Sequence, residues 1–184
     1  MRHSIVFGIV IISILSILNS CKSEKTEALL AEIEGMQLSV DSSQKVFERI
    51  DTATISKNKK YAEDQIEYLR KFNTDTNYKN ARYIDVYYAN FKLMRKLLKG
   101  HHRLNQEIDF SQGQLHHLYK DVKNGFAADT NYYTYIEAEE LAVSKIKNTT
   151  KTLTDWELKT TKRHKGMVAP IDSIITELKN QGKR

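Results

Sequence analysis

The sequence predicts an all-α protein, an up-and-down bundle of about five helices that follows a cleaved signal peptide. Three observations indicate this fold class. Proline occurs once, at Pro170, charged residues make up 28% of the chain, and apolar residues recur at three- and four-residue steps. A sequence with so little proline permits long uninterrupted helices, and the apolar spacing is that of one buried helix face.

The first three helices are predicted from this spacing. The first spans residues 24–50, and its apolar face consists of Leu29, Ile33, Met36, Val40, Phe47 and Ile50. The second spans residues 54–73, with Asp51-Thr52 as the N-cap because their side-chain oxygens can accept hydrogen bonds from the free N–H groups of the first turn. The third spans residues 76–99, and Gly100 is expected to end it in the left-handed conformation.

Residues 110–115 match the start of a fourth helix. Ser111 would be the N-cap, Gln114 would close a capping box three residues later, and Phe110 and Leu115 would form a hydrophobic staple. This helix is expected to end at Gly125.

A fifth, long helix is predicted over residues 129–164, which places His164 in its last turn. Gly166 and Pro170 are expected to interrupt the chain before a short apolar helix over residues 167–178. Proline fits the first turn of that helix, and the alternative is a kink at Pro170 that joins it to the fifth helix. Helices three and five both follow a copy of the pattern Phe-x-x-Asp-Thr-Asn-Tyr, at residues 72–78 and 126–132. Convergence on one type of helix start explains this repeat, and duplication of a helical hairpin is the alternative.

The first 21 residues contain the most specific motif of the chain. Arg2 and His3 precede an apolar run over residues 5–18, and Leu18-Asn19-Ser20-Cys21 follows with the only cysteine. An apolar run this short is typical of a signal peptide and not of a membrane-spanning helix. The end of the segment resembles the lipobox of bacterial lipoproteins. That resemblance implies cleavage before Cys21 and lipidation of Cys21, and the alternative is an uncleaved signal anchor.

The predicted organisation follows from this resemblance. Residues 1–20 would be a lipoprotein signal peptide, residues 21–26 a lipidated tether, and residues 27–184 a helical bundle domain. The net charge of +6 is a mild excess spread over charges of both signs. It is compatible with an anionic surface but does not indicate nucleic acid as a partner.

Tyrosine is abundant, with ten residues in the chain. Two clusters form a possible binding surface: Tyr83, Tyr87 and Tyr88 in the third helix and Tyr132, Tyr133 and Tyr135 in the fifth. At helical spacing, such rings either pack at the edge of the core with wet hydroxyls or bind a ligand or partner. If they bind, the two clusters are expected to meet on adjacent helices around one groove.

No catalytic or metal-binding motif is recognisable. The pairs His101-His102 and His116-His117 cannot chelate one ion through both rings while helical, because neighbours on a helix point about 100° apart. The glutamates at positions 137, 139 and 140 are explained by the dipole at a helix start. Lys159, Lys162, Arg163 and Lys165 fit a helix C-terminus, and contact with anionic lipid headgroups is the alternative. We therefore expect no enzyme activity, no metal and no cofactor.

The overall pattern resembles small all-helical lipoproteins from bacteria of the Bacteroidota type. The lipobox, the 110–115 motif leading into residues 118–122, and the start of a long helix at residues 135–139 carry this resemblance. It implies a lipid-anchored protein of the cell envelope, and it brings no catalytic residues with it. The outer membrane is the expected location, since Lys22 follows Cys21 where an inner-membrane retention signal would carry Asp.

The expected function is thus that of an envelope lipoprotein with a non-enzymatic structural or protein-interaction role. Its partners would be the membrane, through the lipid anchor, and another envelope protein. The alternative is a helical ligand-binding lipoprotein that uses its Tyr and His clusters to bind a small molecule, a lipid or a metal.

Overall fold

The computed structural model describes residues 24–72, 78–125 and 131–181, and these residues form four α-helices and no strand. The helices are α1 (Glu24–Phe47), α2 (Thr52–Phe72), α3 (Tyr78–Lys123) and α4 (Asn131–Gln181). The predicted all-α class is confirmed. The predicted number of five helices is wrong, because segments that were expected to be separate are joined in α3 and in α4.

The first two helices follow the prediction closely. All six predicted apolar residues of the first helix are buried, although α1 ends at Phe47 and not at Ile50. Asp51 caps α2, since its Oδ1 accepts a hydrogen bond from the Thr54 N–H at 2.9 Å. The hydrogen bonds from Thr54 hold the pKa of the Asp51 carboxyl below its usual range.

Gly100 does not end a helix, because α3 continues through it. A methyl group at this position would lie 2.9 Å from Cδ2 of Leu153 on α4. Glycine at position 100 therefore lets the Leu153 side chain approach the α3 backbone, and the prediction of a C-cap at this glycine is wrong.

Ser111 is not an N-cap, and the predicted capping box and hydrophobic staple are wrong. The serine lies inside α3 and is buried, whereas the Phe110 side chain is 67% exposed. The buried apolar face of α3 continues on both sides of this serine through Leu97, Leu104, Ile108, Leu115, Leu118 and Val122. Ser111 occupies a core position of that face, so the helix period overrides the local capping pattern.

The end of α3 is as predicted. Gly125 has a φ of 81°, and its N–H donates to the carbonyl of Val122 at 3.2 Å. This left-handed glycine just after the last helical residue satisfies one of the free carbonyls of the helix end.

The long helix α4 runs through both predicted breakers, Gly166 and Pro170. Proline has no N–H to donate to the carbonyl four residues earlier, which is that of Gly166. Gly166 is exposed, so water can bond that carbonyl. The predicted interruption is wrong, whereas the alternative, in which the last segment is joined to the fifth helix, agrees with the continuous α4. His164 therefore lies in the interior of α4 and not in a last turn.

The described chain belongs to two compact units, and the divisions fall within helices. Unit 1 comprises Met1–Ser39 and Ser111–Val143. In this unit α1 and the start of α4 run in the same direction, since Lys25 lies over the Tyr133 ring and Glu32 interacts with Glu140. The core of its described part is built from Leu29, Leu30, Ile33, Met36, Leu115, Leu118, Val122, Ile136 and Val143.

Unit 2 comprises Val40–Phe110 and Ser144–Arg184. Here α2 and α4 run in the same direction, because the Asp51 N–H bonds Glu157 and Gln65 bonds Asp172. In contrast, α3 and α4 are antiparallel. Lys145 pairs with Glu107, and the Asn90 amide donates to the Thr160 carbonyl. The end of α1 also belongs to unit 2, where Val40 and Phe47 are buried, so segments of all four helices contribute to this unit.

Candidate binding groove

An open groove of about 210 Å³ lies between α2 and α3 in unit 2. Three residues from each helix line it: Ile66, Leu69, Arg70, Ile84, Asp85 and Tyr88. Ile66 and Leu69 are buried and provide an apolar floor, while Arg70 on α2 and Asp85 on α3 are exposed. The groove therefore combines an apolar base with one cation and one anion on opposite walls.

The helical period of α2 and α3 places these residues together. Ala62, Ile66 and Leu69 recur at steps of four and three, and this face packs with Tyr87 and Phe91 of α3. Isoleucines from α4 complete the cluster at positions 171, 174 and 175. Burial of this core holds the floor of the groove in place, because a buried side chain of this kind contributes about 1.5–3 kcal/mol.

Tyr88 forms the aromatic wall, and two cations hold its ring. The Arg70 Nη2 donates to the Tyr88 hydroxyl at 2.6 Å, and the guanidinium carbon lies 4.9 Å from the ring centroid. The Lys92 Nζ lies 4.3 Å from the same centroid. Cation–π contacts of this kind contribute about 0.5–1 kcal/mol each at exposed sites, so together with the hydrogen bond they favour one orientation of the ring.

A polar layer that joins α2, α3 and α4 lies within the same core. The Tyr87 hydroxyl donates to Gln65 Oε1, and Gln65 Nε2 donates to Asp172 Oδ1. The Tyr61 hydroxyl lies 3.0 and 3.1 Å from the two carboxylate oxygens of Asp172 and donates to them. Burial raises the pKa of Tyr87 far above its usual value, and the nearby Tyr61 and Asp172 add to the shift. The hydroxyl therefore keeps its proton and remains a donor.

His164 of α4 lies beside this layer and is 8% exposed. Its ring is nearly parallel to Tyr87 at 6.1 Å and edge-on to Tyr61 at 6.0 Å. Its Nδ1 is buried and has no hydrogen-bond partner within the described ranges. Burial lowers the pKa of His164, so the neutral ring is favoured over the cation.

The six tyrosines of the predicted binding surface have different environments. Tyr87 is buried, so its side chain belongs to the core, and Tyr88 lines the groove, while Tyr83 is exposed nearby on α3. The other three belong to unit 1, where Tyr133 and Tyr135 are exposed and Tyr132 packs edge-on against Tyr135 at 6.2 Å. Tyr88 is thus the one member of the six that lines the groove.

The predicted lipidation site, Cys21, lies outside the described residues, and so does most of each Phe-x-x-Asp-Thr-Asn-Tyr copy. The histidines at positions 101 and 116 lie in α3, where His101 stacks on Phe47 with ring centroids 4.0 Å apart. Among the residues that the structure describes, no group of three His, Cys, Asp or Glu side chains could hold a metal ion.

Five polar residues of the groove and the polar layer were not predicted from the sequence: Tyr61, Gln65, Arg70, Asp85 and Asp172. Arg70 and Asp85 are single charges within mixed segments, so nothing in the sequence distinguishes them. Gln65 offered a weak signal, since it adjoins Ile66 on the apolar side of α2. A polar residue beside such a face indicates a buried hydrogen-bond partner, but the partner depends on which helices pack together.

Comparison with protein-family models, with curated proteins and with solved structures found no match to this chain. Within residues 24–72, 78–125 and 131–181, no helix combines the length and the apolar character needed to cross a bilayer. By its fold, the protein belongs to the all-helical class, with four helices in its described part.

Proposed function

We propose that this chain is a cell-envelope lipoprotein with a non-enzymatic role, and that it binds a protein partner at the groove between α2 and α3. The lipobox-like segment ending at Cys21 supports the envelope location and the lipid anchor. The observation that carries the interaction role is the groove itself, with its apolar floor and its pre-oriented Tyr88.

The groove suits an apolar side chain that projects from a partner protein. Its volume of about 210 Å³ is below the roughly 300–1,000 Å³ that is typical of small-molecule pockets, and it is open to solvent. Arg70 and Asp85 on opposite walls would pair with an acidic and a basic residue beside that side chain. Tyrosine and arginine are enriched among the residues that dominate binding energy at protein interfaces. The alternative role of a small-molecule carrier fits a shallow groove less well.

Site-specific photocrosslinking in cells tests this proposal. A photoreactive amino acid at Asp85, which lines the groove, should form an adduct with one envelope protein. The same amino acid at Lys57, which is exposed elsewhere on α2, should not form that adduct. Equal adducts from both positions, or no protein adduct from position 85, would contradict the proposal.

Two tyrosine variants refine the test. Tyr88→Ala should weaken partner binding by about thirtyfold, the effect of losing an interface residue that contributes about 2 kcal/mol. Tyr83→Ala removes an exposed tyrosine of the same helix that does not line the groove, and it should leave the adduct unchanged.

A further inference from the structure

One face of α3 carries a stripe of basic residues that the sequence analysis did not identify. The stripe consists of Lys92, Arg95, Lys96, Lys99 and Arg103, all of which are exposed. At 100° per residue, these five side chains lie within about 60° of the direction of Lys92. Phe110 follows Lys92 by eighteen residues, which is five helical turns, and therefore lies on the same face with 67% of its side chain exposed.

Among the described residues, no carboxylate is paired with this stripe. Between Asp85 and Glu107 the sequence of α3 contains no acidic residue. None of the five cations forms an ion pair with a carboxylate in the part of the chain that the structure describes. The contacts seen are with aromatic rings, Lys92 with Tyr88 and Arg95 with Phe91.

The helix dipole does not explain the stripe. Cations are favoured in the last turn of a helix, and the effect falls off within one turn. The stripe lies in the middle of the 46-residue helix α3, so its like charges repel one another without that compensation. An external anion is the partner that would offset this repulsion.

The geometry points to a flat anionic surface. At 1.5 Å per residue the stripe is about 16 Å long, and an exposed aromatic ring lies further along the same line. Clusters of four to eight Lys and Arg on a helix bind anionic lipid headgroups, and apolar side chains such as Phe insert at the boundary between headgroups and acyl chains. We propose that this face of α3 docks on anionic lipids of the membrane. The proposal rests on the envelope anchor proposed above, because tethering at Cys21 would keep the membrane close.

Chemical footprinting of the full-length protein, purified from its native membrane, tests the proposal. The protein is reconstituted in vesicles of phosphatidylcholine alone or with about 30% phosphatidylglycerol, and its lysines are acetylated briefly and read by mass spectrometry. Labelling of Lys92, Lys96 and Lys99 should fall at least about threefold in the anionic vesicles. Labelling of Lys57 and Lys60, which are exposed on α2, should not change.

Two triple variants with the same change of charge sharpen the test. In Lys92→Gln/Lys96→Gln/Lys99→Gln, protection of Arg95 and Arg103 from phenylglyoxal should be lost. Each lysine near an anionic surface contributes about fivefold to binding, so three contribute about a hundredfold. In Lys45→Gln/Lys57→Gln/Lys60→Gln, which removes exposed lysines of α1 and α2, protection should remain.

Flotation of the same samples separates this proposal from the anchor. Protein that floats with phosphatidylcholine vesicles but shows equal labelling of the stripe in both lipids would overturn the docking proposal and leave the anchor intact. Protein that floats only with anionic vesicles, with the stripe protected, would support docking and contradict the anchor. Protection of Lys57 and Lys60 equal to that of the stripe would also overturn docking. So would protection of the stripe by alginate, a soluble anionic polysaccharide, without protection by anionic vesicles.

Discussion

Polar residues at core positions of unit 2 obtain their hydrogen-bond partners in two ways. Thr150 and Thr160 lie on the buried face of α4, and their hydroxyls donate to carbonyls of the preceding turn of their own helix. Gln65 instead needs partners from other helices, which Tyr87 and Asp172 supply. A buried polar group without a partner costs about 1–3 kcal/mol, so the Gln65 contacts favour one specific packing of the three helices.

We expect Tyr87→Phe to lower the free energy of unfolding by about 1–3 kcal/mol, because Gln65 Oε1 would lose its buried donor. Urea denaturation followed by circular dichroism measures this change. Tyr83→Phe is the matched control, since Tyr83 is 41% exposed, and it should change stability by less than about 0.5 kcal/mol. Equal effects of the two variants would show that the polar layer does not form.

The buried His164 predicts a loss of stability in mild acid. Because burial lowers its pKa in the folded state, the unfolded chain binds the proton more readily. The contribution of the neutral His164 ring to folding stability is complete above the unfolded pKa of about 6.5. It is lost as the pH falls from there through the lower folded pKa. His101, whose pKa is lowered by burial and by His102, adds an effect of the same sign.

His164→Phe should therefore reduce the fall in unfolding free energy between pH 7 and pH 5 without abolishing it, since His101 remains. Urea titrations at several pH values provide the measurement. An unchanged slope in His164→Phe would be inconsistent with a buried neutral imidazole.

At the level of the helices, continuity is the main feature that distinguishes α3 and α4. Helix α3 passes through Gly100 and Gly113, and α4 passes through Gly166, although glycine usually weakens or ends a helix. Gly113 and Gly166 lie inside these helices, and a methyl group at either position would meet no atom within 4 Å. Their only effect on a continuous helix is thus the entropy cost of glycine.

Gly113→Ala and Gly166→Ala should each raise the free energy of unfolding by about 0.5–1 kcal/mol, the difference between glycine and alanine inside a helix. Thermal and urea unfolding measure this gain. Gly100→Ala should stabilise less or destabilise, because Leu153 must move. Gly125→Ala should destabilise by about 1–2 kcal/mol, given its positive φ. Neutral effects at positions 113 and 166 would indicate breaks at these sites.

The helical class and the apolar faces could be predicted from the sequence, whereas the number of helices could not. The apolar period is read from many residues at once, so recurring positions such as Leu29, Ile33 and Val40 identify a buried face reliably. A capping pattern depends on a few residues, and Ser111 fits both an N-cap and a polar core position. The choice between them depends on which helix packs against that turn.

The groove, too, could be predicted only in part from the sequence. Tyr88 was predicted as a possible binding residue because tyrosines cluster in its helix. Arg70, which orients its ring, and Asp85 of the opposite wall were not predicted. Their roles arise only when α2 and α3 lie side by side. In the basic stripe, only Arg103, and Phe110 beyond it, depend on α3 continuing past Gly100.

On the scale of the whole molecule, charge is distributed unevenly between the two units. The described part of unit 1 contains three lysines, Lys25, Lys120 and Lys123. It contains more carboxylates, at Glu24, Glu27, Glu32, Glu34, Asp121, Glu137, Glu139 and Glu140. The net charge of the chain is nevertheless +6, so the positive excess lies largely in unit 2. Unit 2 also contains the groove and the basic stripe, which makes it the unit proposed to contact protein and membrane.

The proposed function depends most on the lipid anchor, and one measurement tests it directly. Mass spectrometry of the N-terminal peptide, from protein purified out of its native membrane, reads both the cleavage site and the modification. We predict a peptide that begins at Cys21, with a diacylglyceryl group on the sulfur and an acyl chain on the new N-terminus. A peptide that begins at Met1, or a Cys21 without acyl groups, would contradict the proposal that this chain is an envelope lipoprotein.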